Sequence, residues 1–96
     1  MSYEIVQTAL FKKWLSTQTP KTMQIIVKRV ANIKFHSHFG LAKNLGHGLS
    51  ELKFKSGIRI YFTLVELGDK TVFLLLGGNK NGQDKDIKKA RTLIQS

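Results

Sequence analysis

The spacing of apolar side chains changes at Leu49, and this change limits the folds that the chain can adopt. Between residues 8 and 39 apolar side chains recur at helical spacing, whereas from Leu49 onward they alternate with polar ones. Helical spacing is typical of amphipathic helices, and alternation is typical of half-buried strands. The 96 residues suffice for one compact domain, spanning 1–96. We therefore predict a single α+β domain in which two helices precede most of the sheet.

Local signals in the first third predict a short strand and a helical hairpin. Residues 3–7 alternate weakly and predict the strand. Thr8 can cap a helix that continues through Leu15, and Thr19 followed by Pro20 is typical of a second helix start. The apolar stripe of this second helix is expected to contain Met23, Ile26, Val27, Val30 and Ile33.

The middle of the chain predicts a loop and then a β-hairpin. Residues 40–48 are rich in glycine and are expected to form a loop. Residues 49–64 alternate on both sides of Ser56-Gly57, which predicts an antiparallel pair with an odd number of loop residues. The proposed register places Lys55 opposite Arg59. The polar face of this hairpin, expected to be open to solvent, contains Glu51, Lys53, Lys55, Arg59 and Tyr61.

The last third predicts a central strand and a final helix. Residues 71–76 place apolar side chains on both faces of the predicted strand, as in a strand that is covered on both sides. Asn81 and Asp84 have the spacing of a capping pair for a helix that runs to Ile94. The predicted order is β-α-α-β-β-β-α, with a twisted and mainly antiparallel sheet.

The strong positive charge points to a polyanionic partner. Sixteen Lys and Arg against six Asp and Glu give a net charge of +10. Nucleic acid is the first candidate, and an anionic membrane or an acidic protein the next. The absence of cysteine excludes disulfides, thiolate zinc sites and cysteine nucleophiles. The first ten residues lack a secretion signal and no apolar run is long enough to span a membrane, so we expect a cytoplasmic protein without membrane association.

Three stretches of the sequence together resemble a known superfamily. They are residues 11–15 (FKKWL) with 27–30 (VKRV), residues 45–53 (LGHGLSELK) leading into 57–62 (GIRIYF), and residues 74–80 (LLLGGNK) followed by Gln83 and Asp86-Ile87. In this order they resemble the RelE/ParE toxin superfamily, and within it the addiction module killer branch (HigB/RelE-like). The stretches cover most of the chain.

The resemblance implies a RelE-like fold and two alternative activities. Toxins on the RelE side cleave messenger RNA on the ribosome, whereas toxins on the ParE side inhibit DNA gyrase without being enzymes. Both are masked by a cognate antitoxin protein. RNA cleavage without a metal uses attack of a 2′-hydroxyl on the adjacent phosphate and needs a base, an acid and cations. We expect no metal and no small-molecule cofactor, because carboxylates and histidines are not spaced as ligands.

Arg59, Lys53 and His47 are the predicted catalytic residues. By the resemblance, Arg59 matches the catalytic arginine of the superfamily and Lys53 a superfamily lysine. A guanidinium can bind phosphate oxygens through two hydrogen bonds. His47 stands between two glycines in the loop and could transfer protons near neutral pH. The alternative for Arg59 is a strand residue that pairs with Glu51 across the sheet.

Lys55, Tyr61 and Lys80 are the predicted RNA-binding residues. Lys55 and Lys80 would contact phosphates, and Tyr61 would stack on a base. The alternatives are solvated lysines and a tyrosine that packs between strands. One departure from the resemblance concerns the acid and base, since residues 82–96 contain neither the Tyr nor the His that many RelE-like enzymes carry there. Lys53, His47 or Asp86 would then substitute, or the activity differs.

Overall fold

The computed structural model describes residues 3–95, except for the side chain of Leu67. The described residues form five strands and three helices, and a short 3-10 turn, Lys80–Gly82, precedes the last helix. The elements are β1 (Glu4–Gln7), α1 (Ala9–Ser16), α2 (Pro20–His36), β2 (Ala42–Gly46), β3 (Leu49–Lys53), β4 (Ile58–Leu67), β5 (Asp69–Asn79) and α3 (Gln83–Gln95). The α+β class is confirmed.

Threonine side chains begin both helices of the hairpin, as predicted. The Thr8 hydroxyl accepts a hydrogen bond from the backbone amide of Phe11 and donates one to the Leu75 carbonyl at 2.7 Å. Thr8 therefore both starts α1 and fastens it to β5. Thr19 caps α2, whose first residue is Pro20. None of the helices in the described part of the chain has the length and hydropathy needed to cross a membrane.

The strands form one sheet in the order β1-β5-β4-β3-β2. β1 runs parallel to β5, and the three other pairs are antiparallel, which confirms the mainly antiparallel sheet. β5 is an inner strand between β1 and β4, and it has α1 on one face and α3 on the other. The first core, under α1 and α2, consists of Phe11, Ile26, Ile33, Leu52, Phe54, Ile60, Phe62, Val72 and Leu74. The second core, under α3, consists of Leu49, Tyr61, Leu75, Leu76 and Ala90.

One strand was predicted as loop. Residues 42–46 form β2, which pairs antiparallel with β3 through a turn at His47 and Gly48. Both turn residues have positive φ, +53° and +83°, as in the tight turns that match strand twist. β2 is an edge strand whose first three residues are exposed. It therefore lacks the apolar alternation on which strand prediction depends.

Two details of register and capping also differ from the prediction. Lys53, and not Lys55, lies opposite Arg59. The backbone amide of Phe54 donates a hydrogen bond to the carbonyl of Ile58. The loop between these two residues contains three residues, Lys55 to Gly57. The odd loop length is confirmed, so each side chain keeps its predicted face although the pairing shifts. At the last helix Asn79, and not Asn81, supplies the capping oxygen for the preceding 3-10 turn.

Candidate functional site

Helix α3 covers the polar face of the β3–β4 hairpin. Its apolar positions include Ile87, Ala90 and Ile94, which pack against the second core. Because this stripe needs a surface to cover, α3 takes the face that the sequence analysis left open to solvent. Glu51 and Tyr61 are consequently 0% exposed. The expectation of an open face is wrong for these two residues.

A buried carboxylate lies at the centre of this covered face. Glu51 is opposite Tyr61, and its carboxylate accepts hydrogen bonds from the Gln83 side-chain amide at 3.2 and 3.1 Å. The Lys53 ammonium lies 4.0 Å from the same carboxylate and keeps about a third of its side-chain surface exposed. An amide and a cation together compensate the loss of water around Glu51.

Arg59 lies beside Lys53 on the neighbouring strand and is partly buried. Its Nη1 donates to the carbonyl of Ile58 at 3.1 Å. Its Nε is buried and has no hydrogen-bond partner within residues 3–95. An unmade hydrogen bond of this kind is unfavourable by about 1–3 kcal/mol. The alternative role for Arg59, a pairing with Glu51, is not observed in the described residues, where Glu51 binds Gln83 and Lys53 instead.

Tyr61 is enclosed, so its ring offers no surface to a base. Its hydroxyl is also buried without a hydrogen-bond partner in the described residues. Burial raises the pKa of Tyr61 to about 12, and the negative charge of Glu51 acts in the same direction. The positive charge of Arg59 opposes this rise. The structure therefore contradicts the accessibility on which the predicted stacking role of Tyr61 depended.

Lys80 directly follows β5 and lies at the end of the sheet that carries Lys53 and Arg59. Its backbone amide donates to the Gly57 carbonyl at 2.8 Å, and its side-chain carbons lie over Gly57. A Cβ atom at Gly57 would stand 3.6–3.8 Å from these carbons. Because Gly57 directly precedes β4, the exposed Lys80 belongs to the same end of the hairpin as Lys53 and Arg59. Three cations thus gather there.

Asp86, in the first turn of α3, projects onto the sheet next to Arg59. A Cβ atom at Gly78 would stand 2.1 Å from its Oδ2, so only glycine leaves room for this carboxyl group. Gly78 is the β5 partner of Arg59. Partial burial raises the pKa of Asp86, while Lys85 and Lys89 oppose the rise. We call Lys53, Arg59, Lys80 and Asp86, with the buried Glu51, the hairpin-end cluster.

Two predicted site residues lie outside this cluster. His47 is exposed in the β2–β3 turn and lines a shallow depression with Arg91 and Ile94. The whole length of strand β3 lies between His47 and Lys53. From Leu49 to Lys53 this strand spans about 13 Å. Lys55 is exposed in the β3–β4 turn and lines a groove of about 400 Å³ on the α2 side. Because the observed register pairs Lys53 with Arg59, Lys55 does not occupy the predicted strand position opposite Arg59.

Neither Glu51 nor Gln83 was predicted to be a site residue. Glu51 alternates with Lys53 along one strand, and Gln83 begins the helix whose apolar stripe requires this face. Placing α3 on the polar face would have brought the two together. No group of three or more His, Asp or Glu side chains that could hold a metal ion occurs within residues 3–95. The hairpin-end cluster offers cations for a phosphate and one partly buried carboxyl group for proton transfer.

Comparison with known proteins places the chain in a family. An uncharacterized protein of Haemophilus influenzae is 34% identical over 96 residues, covering 99% of this chain and 96% of the relative. The chain belongs to the family of this protein. No protein-family model matches the sequence.

Two solved structures share the architecture. A variant of the Escherichia coli toxin RelE in the free state has a TM-score of 0.73 at 13% identity, over 94% of each chain. The toxin–antitoxin complex RelBE2 of Mycobacterium tuberculosis contains a chain with a TM-score of 0.67 at 14% identity, covering 82% of this chain and 99% of that one. These likenesses establish that the family member described here has the RelE fold.

Proposed function

We propose that this protein is the toxin of a type II toxin–antitoxin pair and cleaves messenger RNA on the ribosome. The observation that carries the proposal is the gathering of Lys53, Arg59 and Lys80 at one end of the sheet. These cations come from three strands or their ends, so a rigid scaffold holds them. The similarity to RelE and RelBE2 is consistent with this role.

The cluster suits phosphate chemistry better than unspecific binding. Arg59 has a buried Nε without a hydrogen-bond partner in the described chain, and it is the direct strand partner of the partly exposed Lys53. Cations held in place stabilise the charge that develops on a phosphate under attack by the neighbouring 2′-hydroxyl. Glu51, buried and ion-paired, keeps Lys53 beside Arg59. Arg59 would bind the scissile phosphate, while Lys53 and Lys80 would bind its neighbours.

A partly exposed stripe of apolar side chains on α2 supports a protein partner. Met23, Val27 and Ala31 line a groove of about 450 Å³ together with Pro20, and Val27 is 55% exposed although its spacing predicted a buried position. Lys28 borders the groove, and the protein carries a net charge of +10. An acidic antitoxin with an amphipathic helix would match both properties. We propose that this groove receives the antitoxin.

Inducible expression in bacteria tests the proposal. Expression without a partner is expected to stop growth and the incorporation of labelled amino acids, while labelled thymidine incorporation continues at first. Arg59→Ala serves as the inactive control, and Lys21→Ala, on an exposed helix turn, as the matched active one. An early loss of DNA synthesis with translation intact would instead support a gyrase inhibitor. Normal growth under strong expression would contradict both toxin functions.

A further inference from the structure

RNA cleavage at the hairpin-end cluster requires a proton donor for the leaving 5′-oxygen. Residues 82–96 contain no Tyr or His that could serve. His47 lies at the opposite end of β3, and Tyr61 is fully buried. Lys53 and Arg59 are needed as cations. Lys80 is likewise a cation and Glu51 is buried and ion-paired, so among the described side chains at this end of the sheet the carboxyl group of Asp86 remains.

The backbone around Asp86 is shaped to bring its carboxyl group onto the sheet. Oδ2 would stand 2.1 Å from a Cβ at Gly78 and 3.3 Å from a Cβ at Gly82. Position 78 therefore has to remain glycine for Asp86 to adopt its place, whereas a Cβ at position 82 would be only a tight contact. Gly78 and Arg59 are direct antiparallel partners, whose Cα atoms lie about 4.5–5.5 Å apart. A phosphate held by Arg59 would thus have Asp86 on its β5 side.

The charged groups named around Asp86 are cations, and a neutral tyrosine lies beside them. Arg59 and Tyr61 face it from β4, and Lys85 and Lys89 lie on its own helix. Partial burial raises the pKa of Asp86, and the two lysines oppose that rise. A raised pKa enlarges the fraction of a carboxyl group that carries a proton to donate at a given pH. The direction of the pKa shift therefore adds to the geometric argument.

We propose that Asp86 is the general acid that protonates the 5′-oxygen during RNA cleavage, a role that rests on the ribonuclease function proposed above. The 2′-oxygen forms a bond to phosphorus as the bond from phosphorus to the 5′-oxygen breaks. The 2′-hydroxyl proton passes to a solvent water, and the Asp86 proton passes to the 5′-oxygen. The products are a 2′,3′-cyclic phosphate and a free 5′-hydroxyl, and Asp86 regains its proton from water.

A substrate that needs no acid provides the test. Messenger RNA bound to ribosomes is prepared with the normal 5′-oxygen, or with sulfur in its place, at the cleaved bond. A thiolate leaves without protonation. Asp86→Asn is therefore expected to slow cleavage of the oxygen substrate by about 10²–10⁴-fold and to leave cleavage of the sulfur substrate near the wild-type rate. Wild-type cleavage of the oxygen substrate should decline at high pH, and that decline should be absent with sulfur.

Matched variants separate this role from other effects. Asp84 is exposed and lies two residues before Asp86 in the same helical turn. The Asp84→Asn variant should therefore cleave both substrates normally. Arg59→Ala should be slow on both. Equal slowing of Asp86→Asn on both substrates, or normal cleavage of the oxygen substrate, would overturn the proposal. If Asp86→Asn fails to fold, Asp86→Ser is compared in the same way. Wild-type protein that cleaves neither substrate would instead refute the ribonuclease function itself.

Discussion

Arg59 combines two properties that rarely occur together, a buried donor without a partner and a position beside other cations. Its Nε finds no acceptor within residues 3–95, and Lys53 is its direct partner on β3. An arrangement of this kind is unfavourable for the free protein and becomes favourable when an anion binds. We therefore propose that Arg59 serves function rather than stability.

Replacing Arg59 by Ala should therefore separate activity from stability. Cleavage of ribosome-bound messenger RNA is expected to fall by about 10²–10³-fold, because a charge-stabilising donor is lost. The free energy of unfolding should change by less than about 1 kcal/mol, since an unsatisfied donor leaves with the side chain. Arg59→Lys should restore only part of the rate, because an ammonium lacks the paired donors of guanidinium. Full activity of a folded Arg59→Ala protein would exclude a catalytic role for Arg59.

Tyr61→Phe tests the enclosed hydroxyl. Removing a buried hydroxyl that has no partner in the described chain should leave the protein equally stable or stabilise it by up to about 1 kcal/mol. Because the folded-state pKa of about 12 exceeds the usual value near 10, wild-type stability should be complete below pH 10 and decrease between pH 10 and 12. Urea unfolding across this range should show a smaller decrease for Tyr61→Phe. An unchanged pH dependence would show that Tyr61 does not titrate late.

At the scale of elements, a glycine sets how closely α1 approaches β5. A Cβ atom at Gly77 would stand 2.1 Å from the indole ring of Trp14, which itself packs on Phe11. The tryptophan ring approaches the strand this closely only because residue 77 has no side chain. Neighbouring Gly78 does the same for α3 on the opposite face. Adjacent glycines therefore admit a helix on each side of one strand.

Gly77→Ala is expected to destabilise the protein by about 3 kcal/mol, through overpacking between helix and strand. Combining it with Trp14→Leu should recover part of this loss, so that the double variant is more stable than the sum of single effects predicts. Denaturant unfolding of the four proteins measures the coupling. Additive losses would mean that the ring and the strand are not in contact.

The α2 groove predicts which surface an antitoxin covers. Val27→Glu places a negative charge in the apolar stripe and should weaken antitoxin binding by tenfold or more, about 1.4 kcal/mol, while growth inhibition persists. Phe35→Glu is the matched control, because Phe35 is 63% exposed on the same helix but outside the groove. Calorimetric titration of both variants gives the comparison. Equal affinity for Val27→Glu and wild type would place the antitoxin elsewhere.

Sequence patterns predicted elements that carry an apolar stripe and missed those that do not. The caps at Thr8 and Thr19 are visible because capping is a local interaction. Strand β2 is held by pairing with β3 and was not visible. The polar face of the hairpin could be listed from alternation, but its covering by α3 depends on tertiary packing. Arg59 and Lys53 were found by resemblance, whereas the surroundings of Glu51 required the structure.

At the scale of the whole molecule, the net charge of +10 should act on RNA binding through released counterions. Each phosphate neutralised on a single strand contributes about −0.7 to the slope of log affinity against log salt concentration. Arg59→Ala should therefore reduce the magnitude of the slope by about 0.7, whereas Lys21→Ala should leave it unchanged. Fluorescence anisotropy with labelled RNA at several salt concentrations measures both. Identical slopes for Arg59→Ala and wild type would show that Arg59 contacts no phosphate.

The parallel pairing of β1 with β5 delays the completion of the sheet during synthesis. Thr8 bonds to Leu75 across 67 residues, and translation at about 5–20 residues per second separates the two by roughly 3–13 s. Contacts of such long range form late in folding. Throughout that interval α1 lacks β5, the strand on which it packs, and the first core under α1 and α2 is incomplete. A partner already present in the cell would therefore meet these helices on the nascent chain, before the hairpin-end cluster exists.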